Sequence, residues 1–174
     1  KGLNYGIDFT FEHYMNKGFY YMFTSSIFSS QYKTTKDKWF NTRYNRNYVF
    51  NLLAGKEWYI GKNRQNIFSV NGKFTYQGGD RYSPINVALS QKQQDAVYDE
   101  SNPYSCQLSP VLLAHLTITY KINKKYLSHE FSAKLMNITG YKDFYGHRYN
   151  FMTNSVEEER DAIIMPNISY KIEF

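Results

Sequence analysis

The chain has 174 residues, enough for one ordinary domain, and a net charge of +6. It is 19% aromatic, with 18 Tyr and 13 Phe against 2 Trp, yet its mean hydropathy is negative. Scattered Lys and Arg argue against a nucleic-acid partner, the single cysteine Cys106 excludes an internal disulfide, and no run reaches the roughly 18 apolar residues of a membrane helix.

Taken in chain order, the pattern has period two almost throughout. The chain starts at Lys1 without Met, a few residues before a strand pattern, which reads as a cut inside a longer polypeptide or a processed start. Leu3, Tyr5, Ile7, Phe9 and Phe11 alternate with Asn4, Gly6, Asp8, Thr10 and Glu12. After the turn NKG, Phe19, Tyr21, Phe23 and Ile27 share a face, although this second strand carries apolar groups on both sides. A polar connector, QYKTTKDKWFNTRYNRN, leads to a third strand with Tyr48, Phe50, Leu52, Ala54 and Trp58 in one phase. Across the turn GKNRQN, the fourth strand places Phe68, Val70, Gly72, Phe74 and Tyr76 together.

A long irregular stretch follows from about residue 78 to 110, of a length that usually carries function, with room for a short helix in NVALSQKQQDAVYDE. The fifth strand has Leu112, Ala114, Leu116, Ile118, Tyr120 and Ile122 against Leu113, His115, Thr117, Thr119 and Lys121. The turn NKK leads to Phe131, Ala133 and Leu135, then a second long loop from about residue 140 to 165. The closing strand NISYKIEF sets Ile168, Tyr170, Ile172 and Phe174 on one face.

The expected fold is all-β, an antiparallel meander of about seven long strands. The three short turns fall at one end and the long loops at the other. Long strands, one apolar and one polar face, and aromatics near strand ends (Tyr5, Tyr120, Tyr170, Phe174) match part of a transmembrane β-barrel. Lipid satisfies no backbone N–H or C=O group, so a sheet that crosses it must pair every strand. The rival is a soluble antiparallel barrel or sandwich with the apolar face inward, as in a lipid carrier. Bacterial outer-membrane barrels have even strand numbers, so seven implies a strand hidden in the first long loop or the tail of a larger barrel.

The ending matches the C-terminal signature of outer-membrane barrels, an aromatic at the last position with apolar residues two, four and six before it. More specific are the segments NYGIDFTFEHYMNKGFYYMFTSSIFSSQYK, RNYVFNLLAGKEWYIGKNRQNIFSVNGKFTYQGGDRYSPIN, AVYDESNPYS, LTITYKINKKYLSHEFSAKLMNITG and ISYKIEF in their order. Together they resemble the C-terminal part of a TonB-dependent outer-membrane receptor, closest to the Bacteroidota group with a carboxypeptidase-like regulatory domain upstream. The resemblance covers nearly the whole chain. It implies a 22-stranded barrel with a plug, active import of a nutrient energised through TonB, and residence in the bacterial outer membrane. Residues 1–174 would form the C-terminal barrel part, without plug, TonB box or regulatory domain. Implied partners are outer-membrane lipid, the barrel assembly machinery reading Ile168, Tyr170, Ile172 and Phe174, and TonB through the missing N-terminal part. A surface lipoprotein over the loops is left open. The alternative is a complete small outer-membrane barrel with a structural, adhesion or assembly role.

In this family ligand contacts vary with substrate, so no motif carries over, and the candidates come from the loops. GGDRYSPIN offers Asp80, Arg81 and Tyr82; the blander reading has Gly78 and Gly79 making a positive-φ turn and Arg81 pairing with a loop carboxylate. GYKDFYGHRYN offers Tyr145, His147 and Arg148, a cationic and aromatic set suited to an anionic chelate or a sugar, or to loop packing. SVEEERD reads as a solvated loop rather than a cation site, and the sequons NIT and NIS, both in expected strands, carry no weight. No Ser-His-Asp grouping, phosphate loop or metal-ligand cluster is present in the pattern, so neither enzymatic activity nor a cofactor or metal is expected.

Overall fold

The computed structural model describes residues 1–34 and 37–174; two residues of the polar connector, Thr35 and Lys36, lie outside the described residues. Seven long strands form one antiparallel sheet: β1 (Gly2–Asn16), β2 (Phe19–Lys33), β4 (Tyr48–Ile60), β5 (Asn66–Gln77), β8 (Val111–Asn123), β9 (Ser128–Met136) and β12 (Met165–Glu173), in the order β1-β2-β4-β5-β8-β9-β12. The short β3 (Trp39–Asn41) pairs with the end of β2. The remaining elements lie in the long connections: β6 (Arg81–Tyr82) with β7 (Cys106–Gln107), the helix α1 (Val87–Gln93), and a hairpin of β10 (Asp143–Asn150) and β11 (Ser155–Asp161). The meander and its seven long strands are as the alternation predicts. Among the described residues the sheet is open, and β1 and β12 are its two edges.

Register shows how the strand phases join. In an antiparallel pair, residues opposite each other point to the same face. Phe11 pairs with Phe23, Phe23 with Leu52, Leu52 with Phe74 and Phe74 with Ala114. Further along, Gly72 pairs with Leu116 and Leu116 with Leu135. Nearer the short turns the row is Trp58, Phe68, Tyr120, Phe131, Tyr170. The apolar phases of all seven strands therefore merge into one continuous face. Nothing packs on it: Ile7 is 78% exposed and Ile168 86% exposed, and Tyr149 in the hairpin is the one buried hydrophobic residue among those described.

The opposite face is polar and cross-linked by side chains. Asn51 Nδ2 donates to Thr24 Oγ1 and Thr75 Oγ1 donates to Asn51 Oδ1, at 3.2 and 2.8 Å. Thr119 and Ser132 bond at 3.2 Å, and Lys121 Nζ donates to Glu173 Oε2 at 2.8 Å. Tyr20, an aromatic on this polar phase, lies across Gly55, and its hydroxyl donates to Asn71 Oδ1 at 2.7 Å. A Cβ on Gly55 would stand 2.5 Å from the Tyr20 ring, so glycine is what lets the ring reach across.

Three expectations change. The stretch from 140 to 165 is largely a β-hairpin rather than an irregular loop, and SVEEERD is its second strand. The sequon NIT falls in the turn after β9, not in a strand. Neither Gly78 nor Gly79 has positive φ. Their need for glycine is close approach, since a Cβ on Gly78 would lie 1.8 Å from the Arg46 carbonyl oxygen and one on Gly79 2.3 Å from that of Leu108.

Candidate functional site

The structured connections gather at the end of the sheet opposite the short turns. Asn45 organises the first of them. It is 1% exposed; its Oδ1 accepts from the Ser30 amide at 3.0 Å and its Nδ2 donates to Asn41 Oδ1 at 2.8 Å. Its carbonyl accepts from Arg81 Nε at 2.8 Å, while Arg81 Nη2 donates to Asn47 Oδ1 at 2.8 Å. Arg81 is thus held by two asparagines rather than by a carboxylate. The carboxylate next to it, Asp80, pairs with Arg46 at 2.6 Å. Burial pushes the Arg81 guanidinium pKa down from its ordinary value, in keeping with this structural seat.

The helix α1 is capped by Asn86, whose Oδ1 accepts from the Leu89 amide at 3.1 Å. The fully buried Ser90 accepts from the Val97 amide at 3.0 Å and so fixes the chain that leads to Tyr98. The hairpin then docks through His147. Its ring lies 4.9 Å from that of Tyr82, 5.0 Å from Phe144 and 5.7 Å from Tyr98 between centroids, and its Nδ1 is hydrogen-bonded to the Tyr98 hydroxyl at 3.1 Å. Gln91 Nε2 on α1 donates to the Asn154 carbonyl in the hairpin turn at 3.3 Å.

A cleft of about 330 Å³ opens between these pieces. Its walls are Tyr82, Tyr98, Tyr104, Phe144 and Tyr145, with Asp80 and Arg81 at the base and the exposed Arg43 and Glu100 also on its lining. The two loop motifs read from sequence therefore meet: Asp80, Arg81, Tyr82 and Tyr145 line one cleft. His147 stands behind Tyr82 and lines an adjoining hollow with Cys106 and Glu158. Arg148 does not join them; it is exposed on β10, opposite Glu157. Asn150 and Thr153 donate to Glu157 and hold its pKa below the usual carboxylate value. Glu158 accepts from Arg160 Nε at 2.6 Å. Glu157 and Glu158 are thus engaged within the hairpin.

Sequence reasoning did not single out Arg43, Tyr98, Glu100, Tyr104 or Phe144. Tyr98, Glu100 and Tyr104 sit in AVYDESNPYS, where the aromatic and acidic content is a signal that could have marked them. Chemically the cleft offers flat aromatic surface, phenol hydroxyls, one exposed cation and one exposed anion. That set suits stacking and hydrogen bonding with a planar or ring-shaped polar ligand. Searches against protein-family models, curated proteins and solved structures find no match to this chain.

His147 makes the docking of the hairpin pH-dependent. Burial lowers its pKa, Glu158 opposes that and Arg160 adds to it; Tyr82 and Tyr98 face the ring from other segments and Phe144 from its own strand. With a folded pKa below the ordinary 6.5, this contribution is fully present above about pH 6.5 and is lost as pH falls toward the folded value. Amide exchange in β10 is expected to accelerate between pH 7 and 5 relative to β5, after correction for intrinsic rates. His147→Leu should abolish that difference; its persistence would place the pH sensor elsewhere.

Proposed function

We propose that this chain is part of the barrel of an outer-membrane active transporter of the TonB-dependent kind, which imports a nutrient and does no chemistry on it. The single observation that carries the reading is the continuous apolar face of seven strands, uncovered on one side and backed by a hydrogen-bonded polar face. Aromatic rows border it at both ends. Tyr48, Phe50 and Tyr76 lie toward the long loops; Trp58, Phe68, Tyr120, Phe131 and Tyr170 lie toward the short turns. From Phe68 to Tyr76 is about 27 Å along the strand, or about 20 Å of membrane depth at a tilt of about 40°. The residues between are largely aliphatic: Leu52, Ala54, Val70, Leu116, Ile118 and Ala133. Lys56 is the one cation within them, and its Nζ reaches the Lys17 carbonyl in the β1–β2 turn at 2.8 Å, a snorkelling geometry.

The open edges fit the same reading. In lipid an unpaired strand edge is costly, so β1 and β12 require further strands to complete the sheet. A small barrel made of these strands alone would need β1 to pair with β12, and the sheet order ends at both. The aromatic cleft among the long loops would then stand at the outer mouth and meet the ligand first. The face of β12 with Ile168, Tyr170 and Ile172, followed by Phe174, would present the assembly signal. Lipid, the assembly machinery, TonB through other parts of the protein and a surface lipoprotein are the partners this reading implies.

Trp58 provides the test, because it lies in the rim on the apolar face and the chain has 2 Trp. In a Trp39→Phe background, reconstituted into vesicles of phospholipid brominated high on its acyl chains, Trp58 fluorescence is expected to be strongly quenched. It should be little affected by aqueous iodide. The reverse pattern would mean that the face is wet and that the membrane assignment is wrong.

A further inference from the structure

On the polar face, Lys73 of β5 stands directly opposite His115 of β8, and one step along Thr117 stands opposite Lys134 of β9. The two lysines flank His115 on one face with no carboxylate between them, an arrangement that is unfavourable by itself because like charges repel. The carboxylates of this face that would relieve this stand away from it, Glu12 in the same register row but three strands from Lys73. Glu173 is bonded to Lys121, Lys171 and Ser128 near the short turns. Glu130 and Glu57 lie four positions along from Lys134 and from Leu53, the β4 residue opposite Lys73, roughly 13 Å away along their strands. Neither Lys73 nor Lys134 belongs to an ion pair among the described residues.

The polar groups around the two lysines are also set to donate. The Asn137 amide donates to His115 Nδ1 at 3.3 Å, so the neutral ring carries its proton on Nε2 and that nitrogen is a donor. Asn71 Oδ1 is occupied by the Tyr20 hydroxyl, which leaves the Nδ2 hydrogens available. Thr117 adds a hydroxyl. All five residues line one depression of about 240 Å³ in the middle of the polar face.

From this convergence of two unpaired ammonium groups with an imidazole N–H, an amide and a hydroxyl, and with no carboxylate, we infer that Lys73, His115, Thr117, Lys134 and Asn71 form a binding site for a small oxyanion of the phosphate or carboxylate class. The site is separate from the aromatic cleft at the loops. It needs only that the polar face be open to solute, so it does not depend on the lipid reading. If that reading holds, the site lines the lumen and would take the anionic group of a solute on its way through.

The test is a titration of the folded full chain in detergent with inorganic phosphate at low ionic strength, followed through the His115 ring proton resonances. A saturable shift is expected. Lys73→Gln with Lys134→Gln should weaken it by about tenfold or more, since hydrogen bonds to charged groups are the strong ones. Lys121→Gln, on the same face but paired with Glu173, should leave the affinity within about twofold, as expected for a partner-saturated cation far from the site. Replacing phosphate by acetate or sulfate ranks the oxyanions by charge and shape, and chloride, which has no oxygen, is expected to bind more weakly than any of them. A shift that fails to saturate, or that the Lys73 and Lys134 replacements leave unchanged, overturns the site. Trp58 quenching is a separate readout, so loss of phosphate binding with quenching intact removes this inference alone.

Discussion

Leu116→Arg is expected, on the membrane reading proposed above, to destabilise the sheet in lipid by about 2–4 kcal/mol, the range for Arg at the mid-bilayer face of a β-barrel. Leu116 stands between Gly72 and Leu135 in the middle of the apolar face, about halfway between the two aromatic rows. Its side chain has no polar neighbour there to share a guanidinium. Thr119→Arg, three residues on, points to the other face, between Ser69 and Ser132. It forfeits one hydroxyl hydrogen bond, about 1 kcal/mol, and meets water and polar groups. Urea unfolding from vesicles measures both. The sign is what makes the comparison informative. If the apolar face were wet, Leu116→Arg would be neutral or would improve solubility, and Thr119→Arg would be the more costly change. Equal losses would contradict the assignment of faces.

The strands and their phases were legible because one physical demand dominates them. Each long strand has an apolar and a polar face, and period two records that, least cleanly in β2 with apolar groups on both sides. The register then joins Phe11, Phe23, Leu52, Phe74 and Ala114 without a slip, since a shift by one residue would send a whole strand's apolar set to the polar side. The β10–β11 hairpin escaped for the opposite reason. Neither of its strands has an apolar side to alternate, and a bulge between Phe144 and Gly146 breaks what period there is. Its pairing comes instead from charge and π contacts, Arg148 opposite Glu157 and the Arg160 guanidinium 5.7 Å over the Phe144 ring. Such pairs leave no periodic trace in one strand read alone.

Half of the cleft was legible in the same limited sense. Asp80, Arg81, Tyr82 and Tyr145 stood out by residue type, but their meeting is fixed by contacts between segments far apart in sequence. Tyr82 and His147 are brought ring to ring because Arg81 is seated on Asn45 and Asn47 while Gln91 ties α1 to the hairpin turn. No local pattern states that. The mouth residues Arg43 and Glu100 are further from view, since each sits in a connector with no period at all.

Asn45→Leu is expected to cost the loop assembly about 3 kcal/mol while sparing the sheet, because it strands two half-buried partners at about 1–3 kcal/mol each. The Ser30 amide would lose its only side-chain acceptor and Asn41 Oδ1 its donor, in a site where Asn45 is 1% exposed and water has little access. Leucine keeps the branched shape and the number of side-chain heavy atoms and is the bulkier of the two, so no cavity is opened. With its anchor displaced, the Arg81 seat loosens, and with it the Tyr82 wall against which His147 packs. Amide exchange separates the consequences. Protection at residues 80–82 and 144–147 is expected to fall by about a hundredfold, the equivalent of about 3 kcal/mol. The amides of β4, β5 and β8 between the aromatic rows should keep theirs, since their ladders and side-chain bonds do not pass through Asn45. Equal loss in both regions would show that loops and sheet open as one unit, and the cleft could not then be treated as a separately held ligand site on a rigid wall.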